Sequence, residues 1–255
     1  MNTAPTPPIA SRTVALGRGA SWLGEAFELL MRAPGTWIAI ALIYIVIMVA
    51  ASMIHGGSLL TALFGPVFSG GLILGCSAQD SGQELKVEHL FAGFSGGRLG
   101  QLVLLAVLYL AAVLVLAVVG VSLALACFGL SLSNFSSLDA AGAYVLPLLL
   151  VVLILLALYI PVAMGMWLAP ALIVLRGLDP VAAFKLSFRA CLINFMPFLI
   201  YGILALLLAI AATIPLLLGW LVVLPVFSIS VYTAYRDILP PQPASNTAPP
   251  DLPPA

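Results

Sequence analysis

"APGTWIAIALIYIVIMVAASMIHGGSLLTALFGPVFSGGLILGCSAQ", residues 33–79, contains no Asp, Glu, Lys or Arg. An α-helix that crosses the hydrocarbon core of a bilayer needs roughly 20 apolar residues. This stretch is too long for one crossing, and it is interrupted by His55, Gly56, Gly57 and Ser58. Paired glycines are strong helix breakers. The run therefore divides into two antiparallel spans, at about 37–54 and 59–78.

The rest of the chain repeats this pattern. Of its 255 residues, 63% are hydrophobic and 7% charged, against about 25% charged in a soluble domain. Too few polar side chains exist to cover a water-facing surface. Further spans are read at about 102–127, 144–175, 195–214 and 220–235, so the fold class is all-α and polytopic with six crossings. The fourth span carries Pro147, Pro161 and Pro170, and a kink is expected at Pro161. The membrane domain covers 21–238. Residues 1–20 and the Pro-rich 239–255 cannot bury a core and are expected to be disordered. The N-terminal stretch lacks the apolar centre of a cleavable signal peptide, so the first span is expected to direct insertion.

An even number of spans puts both termini on one side. Arg12, Arg18 and Arg32 precede the first span. Lys86 and Arg98 lie between the second and third, Arg176, Lys185 and Arg189 between the fourth and fifth, and Arg236 follows the sixth. The other three loops hold none of the nine basic residues. By the positive-inside rule both termini are cytoplasmic.

A phrase recurs. "AFELLMRA" (26–33) returns as "AFKLSFRA" (183–190), "LIY" (42–44) as 199–201, and "PVFS" (66–69) as 225–228. The first two and last two spans are read as a parallel internal repeat. Each phrase is expected to form a short amphipathic helix in the headgroup layer, with Phe27 on the apolar side and Arg32 paired with Glu28 in one copy. In the other, Phe184 and Phe188 face the bundle, and Lys185 and Arg189 face water. "ELKVEHLFAGF" (84–94) is a third, looser version. Pro66 and Pro225 each free a carbonyl that cannot face lipid. Together with Ser69 and Ser228 they are expected at a contact between the second and sixth spans. Gly71-x-x-x-Gly75 allows close helix approach.

"WLGEAFELLMRAPGTWI", "PVFSGGLILGCSAQDSGQELKVEHLFAGF", "APALIVLRGLDPVAAFKLSFRACLINFMPFLIY" and "LPVFSISVYTAYRDI" resemble a family of uncharacterised bacterial, mostly betaproteobacterial, inner-membrane proteins. More distantly the chain looks like the membrane domain fused to some glycerophosphodiester phosphodiesterases. The resemblance implies a multi-pass protein of the inner membrane. The phosphodiesterase catalytic domain is not in this chain, so that activity is not implied.

Chemistry-bearing motifs are scarce. No ionisable side chain lies in the middle of a predicted span, which weighs against a proton-coupled carrier. His55 and His89 read as interfacial side chains, and Cys76, Cys127 and Cys191 as small apolar fillers. Asp80, Glu84 and Glu88 read as solvated loop charges. No catalytic residue, cofactor or metal site is expected, and no nucleic-acid partner, given zero net charge. The reading that remains is a non-enzymatic scaffold or accessory factor in contact with the lipid bilayer and an unidentified membrane-protein partner. The alternative is an uncoupled facilitator for a small or lipid-like solute.

Overall fold

A computed structural model describes residues 11–128, 138–214 and 218–240, without the side chains of 127, 128 and 138–144. Among them are nine α-helices and no strand: α1 Arg18–Arg32, α2 Pro34–Ser52, α3 Gly57–Asp80, α4 Leu99–Phe128, α5 Leu138–Trp167, α6 Ala169–Arg176, α7 Pro180–Ile193, α8 Phe195–Thr213 and α9 Trp220–Ile238. A 3-10 helix, Val87–Phe94, lies between α3 and α4. Six segments are long and apolar enough to cross a membrane: α2, α3, α4, α5 with α6, α8 and α9. The α2–α3 turn falls at the predicted glycines. Gly56 has φ 83°, and a Cβ on Gly57 would lie 1.7 Å from the Ala51 carbonyl oxygen.

The packed core lies at one end of the bundle, the end that carries residues 11–17 and 238–240 and is called here the terminal face. Trp22, Trp37, Leu102, Leu172, Ile229 and Ile238 are all fully buried there. Beyond it the helices splay, and α5 from Val145 to Ile160 is exposed almost all round. Such a surface needs hydrocarbon as its solvent.

Several expectations change. Helix hydrogen bonding continues past Pro147 and Pro161, and the break falls at Leu168, two residues before Pro170. The physical reason is a tertiary partner. The Ser187 hydroxyl on α7, fully buried, donates to the Met164 carbonyl (2.7 Å) and accepts from the Leu168 N–H (2.9 Å). It thereby bridges the Met164 carbonyl and the Leu168 N–H, the pair whose helix bond is interrupted at the break. Pro161 has no comparable anchor. Ser187→Ala should cost about 1–2 kcal/mol, the penalty for a buried donor left without its partner, read as a lower unfolding midpoint in detergent.

Residues 11–20 do not form a loose leader. The Arg12 N–H donates to the Ile238 carbonyl (2.9 Å), the Val14 N–H donates to Asn194 Oδ1 (2.8 Å), and α1 starts at Arg18. At the other end Leu239 is 1% exposed and belongs to the core. The disorder expected for 1–10 and 241–255 lies outside the described residues.

"ELKVEHLFAGF" is no flat surface helix. It forms a 3-10 helix that runs back along α3: His89 packs on Gly75, the carbonyls of His89 and Leu90 on Gly71, and Gly93 on Val67. That is about 12 Å of α3 at 1.5 Å per residue. Phe94 stacks near Phe64 and Phe68, at 5.7 and 5.2 Å between ring centroids. The four-residue spacing of Gly71 and Gly75 thus admits a neighbouring backbone, but that backbone belongs to the connecting segment and not to another span.

Candidate functional site

The terminal face is held by a polar cluster that gathers residues from both ends of the chain. Asp237, at the end of α9 and 8% exposed, sits at its centre. Its carboxylate accepts from Trp22 Nε1 (2.9 Å), Arg18 Nε (2.5 Å) and Arg12 Nη2 (2.5 Å). Arg18 also donates to Glu25 (2.7 Å). Arg236 bridges Glu25 (3.0 Å) and Asp80 (2.8 Å), and the Tyr232 hydroxyl donates to Asp80 (3.0 Å). Three arginines and three carboxylates alternate, so the network is neutral and α1, α3 and α9 are tied together. Its hydrogen bonds to Asp237 raise the basicity of Arg18 against the opposing effect of burial, with Glu25 adding to the rise.

Two amides close the cluster. Trp37 Nε1 donates to Gln79 Oε1 (3.0 Å), and Gln79 Nε2 donates to the Leu29 carbonyl (3.0 Å). The fully buried Asn194, in the break between α7 and α8, donates to the carbonyls of Ala190 (2.9 Å) and Arg12 (3.0 Å). Each amide joins an element terminus to a segment far away in sequence. Buried polar groups left without such partners would cost about 1–3 kcal/mol each.

None of these six charged residues was marked by a motif. Asp80 was read as a solvated loop charge, but it is bonded to Arg236 and Tyr232. The one sequence signal available was "YRDI", a charged pair closing an apolar run; its partners lie more than 150 residues away.

The residues singled out from sequence are placed as follows. On α1 the buried side holds Gly19, Trp22, Ala26, Leu29 and Leu30, and Phe27, expected on the apolar side, is 50% exposed. The small residues decide this, since a Cβ on Gly19 would lie 2.0 Å from the Pro197 carbonyl oxygen of α8. Arg32 is exposed and forms no ion pair with Glu28; it lines a polar hollow with Thr36, Gln83 and Glu84. On α7, Phe184 and Phe188 are half-buried, Phe184 lying against Gly165, while Lys185 and Arg189 are exposed. α3 and α9 are packing neighbours. Pro66 and Pro225 are buried, Ser69 and Ser228 half-buried. Pro225 and Ser228 face Leu72 and Trp37, and the Ser228 hydroxyl donates to the Leu224 carbonyl of its own helix (3.0 Å).

Cys76 and Cys191 are free and buried; the side chain of Cys127 lies outside the described residues. Cys191 Sγ donates weakly to the Met164 carbonyl (3.5 Å), and burial pushes its thiol up to about 12, with Ser187 acting slightly against the shift. The thiolate is the reactive form. Maleimide should therefore leave Cys191 unmodified at neutral pH in the folded protein, react faster as pH rises towards 12, and label it at once after denaturation.

Six apolar spans, a terminal face built from ion pairs and a lipid-facing remainder define a multi-pass helical membrane protein. The chain is similar to a probable inner membrane protein of Burkholderia thailandensis, 28% identical over 211 residues that cover 78% of this chain and 76% of the relative. No family model matches the chain, and no solved structure matches it.

Proposed function

We propose that this protein is a non-enzymatic scaffold or accessory factor of the inner membrane, with both termini in the cytoplasm. One observation carries the reading: the terminal face is packed solid around large buried side chains and clamped by the Asp237 network, an arrangement suited to presenting a fixed surface. The nine basic residues all lie in the segments that connect or flank the spans on one side, which supports the cytoplasmic orientation of that face. The recurring helix-plus-two-spans pattern of α1–α3 and α7–α9 supports a parallel internal repeat.

The exposed apolar side of α1, Phe27 and Met31 at 50% and 56% exposure, is the surface that such a membrane-protein partner would engage. Cross-linking in native membranes should recover one defined envelope protein with the full chain. Phe27→Glu with Met31→Glu should abolish that recovery and leave the unfolding midpoint within about 0.5 kcal/mol of wild type, as for surface changes. Undiminished recovery would overturn the docking surface. The alternative, an uncoupled facilitator for a small or lipid-like solute, draws on the apolar cleft between α5 and α8. Solute flux into proteoliposomes containing this protein alone would select it.

A further inference from the structure

A cleft of about 450 Å³ separates α5 from α8. Leu156, Ile160 and Trp167 line one wall, and Phe198, Gly202 and Leu206 the other, with no charged side chain among the lining residues. From Trp167 to Leu156 the wall is about 17 Å long at 1.5 Å per residue, close to the ~15 Å half-thickness of a hydrocarbon core.

Its depth is marked by α7. That helix crosses α5 at Met164–Leu168, where Ser187 bonds both residues and Phe184 lies on Gly165. Lys185 and Arg189, on the same helix, are exposed and form no ion pair among the described residues. A helix with apolar residues inward and free cations outward belongs at the boundary between headgroups and hydrocarbon. Trp167 is therefore at that boundary, and the cleft runs from it into the bilayer. Phe198 and Tyr201 separate Trp167 from Trp22 and the Asp237 network, at centroid distances between 5.0 and 6.3 Å, which places it at the same level.

The Tyr201 hydroxyl pairs with Ser230 (2.7 Å) and that of Tyr159 with Tyr109 (3.4 Å), so neither is free inside the cleft. The occupant that fits is long, apolar and uncharged over its length, with negative charge beyond the boundary.

We propose that the cleft between α5 and α8 holds an acyl chain of an anionic glycerophospholipid from the leaflet at the terminal face, its phosphate in the field of Lys185 and Arg189. Gly202 keeps the cleft open, because a Cβ there meets nothing within 4 Å and a larger side chain would project into the space the chain takes.

The test uses purified full-length protein, stripped of lipid in detergent and titrated with dioleoyl phosphatidylglycerol or dioleoyl phosphatidylcholine, with bound lipids counted by native mass spectrometry. Wild type should hold one phosphatidylglycerol most tightly and prefer it to phosphatidylcholine. Gly202→Phe should abolish that tight binding, and Val118→Phe, which places the same side chain on the exposed side of α4, should leave it intact. Lys185→Ala with Arg189→Ala should remove the preference for the anionic lipid. Unfolding midpoints of all variants establish that they are folded. Wild type without a tight lipid, or a folded Gly202→Phe that binds as wild type does, overturns the proposal.

Discussion

Gly93→Ala should unfold this protein at markedly lower temperature in detergent, with a loss of about 3 kcal/mol, the upper part of the range for overpacking. The Cβ would lie 2.0 Å from the Val67 carbonyl oxygen and 3.2 Å from the Gly71 nitrogen. Both neighbours are backbone atoms of α3, so no side chain can rotate away. The 3-10 helix would have to lift off, exposing Leu90, which is fully buried beneath it. Gly65→Ala, on the same helix α3 but with nothing within 4 Å of the added Cβ, should be neutral or raise stability by up to about 1 kcal/mol through helix propensity. Equal midpoints for the two variants would contradict the backbone contact between the connecting segment and α3.

Asp237→Ala should cost about 3–5 kcal/mol, the usual effect of removing one partner from a buried charge cluster. Trp22 Nε1, fully buried, would lose its acceptor, and Arg18 and Arg12 would lose their anion. Arg12 is more than half exposed and can turn to water, so most of the loss comes from Trp22 and Arg18. The anchored segment 11–17 should then become protease-sensitive, because Arg12 holds both the side chain and the backbone carbonyl of Asp237. Protection of that segment in an Asp237→Ala protein with an unchanged unfolding midpoint would show that the cluster does not hold the terminal face together.

Much of the architecture was legible from composition and periodicity. Charge-free runs bounded by glycines placed α2 and α3 to within a few residues. The start of α7 is set as locally, by an N-cap and a first-turn proline: Asp179 Oδ1 accepts from the N–H groups of Val181 (3.1 Å) and Ala182 (3.0 Å), and Pro180 follows it. Exposure of Lys185 and Arg189 followed from the four-residue spacing. These signals are local: each depends on one segment's preference for hydrocarbon, water or a helix cap.

The helix break, the direction of α1 and the terminal cluster were not legible in this way. Three prolines lie in the fourth span, and each could interrupt it; the choice of Leu168 depends on Ser187 arriving from α7. On α1, Phe27 makes as good an apolar stripe with Leu23 and Leu30 as Trp22 and Ala26 do. Leu30 is buried, and Trp22 and Ala26 rather than Phe27 join it because Gly19 lets α1 sit against α8 and because the Trp22 N–H needs Asp237. By itself the sequence determined that the chain crosses the membrane six times, where it does so, and which residues stay out of hydrocarbon, because transfer free energy is a property of each segment alone. Only the tertiary structure decided which charges meet, which proline breaks its helix and which glycines are indispensable, because those outcomes depend on atoms brought within hydrogen-bond or van der Waals reach from segments up to 225 residues apart.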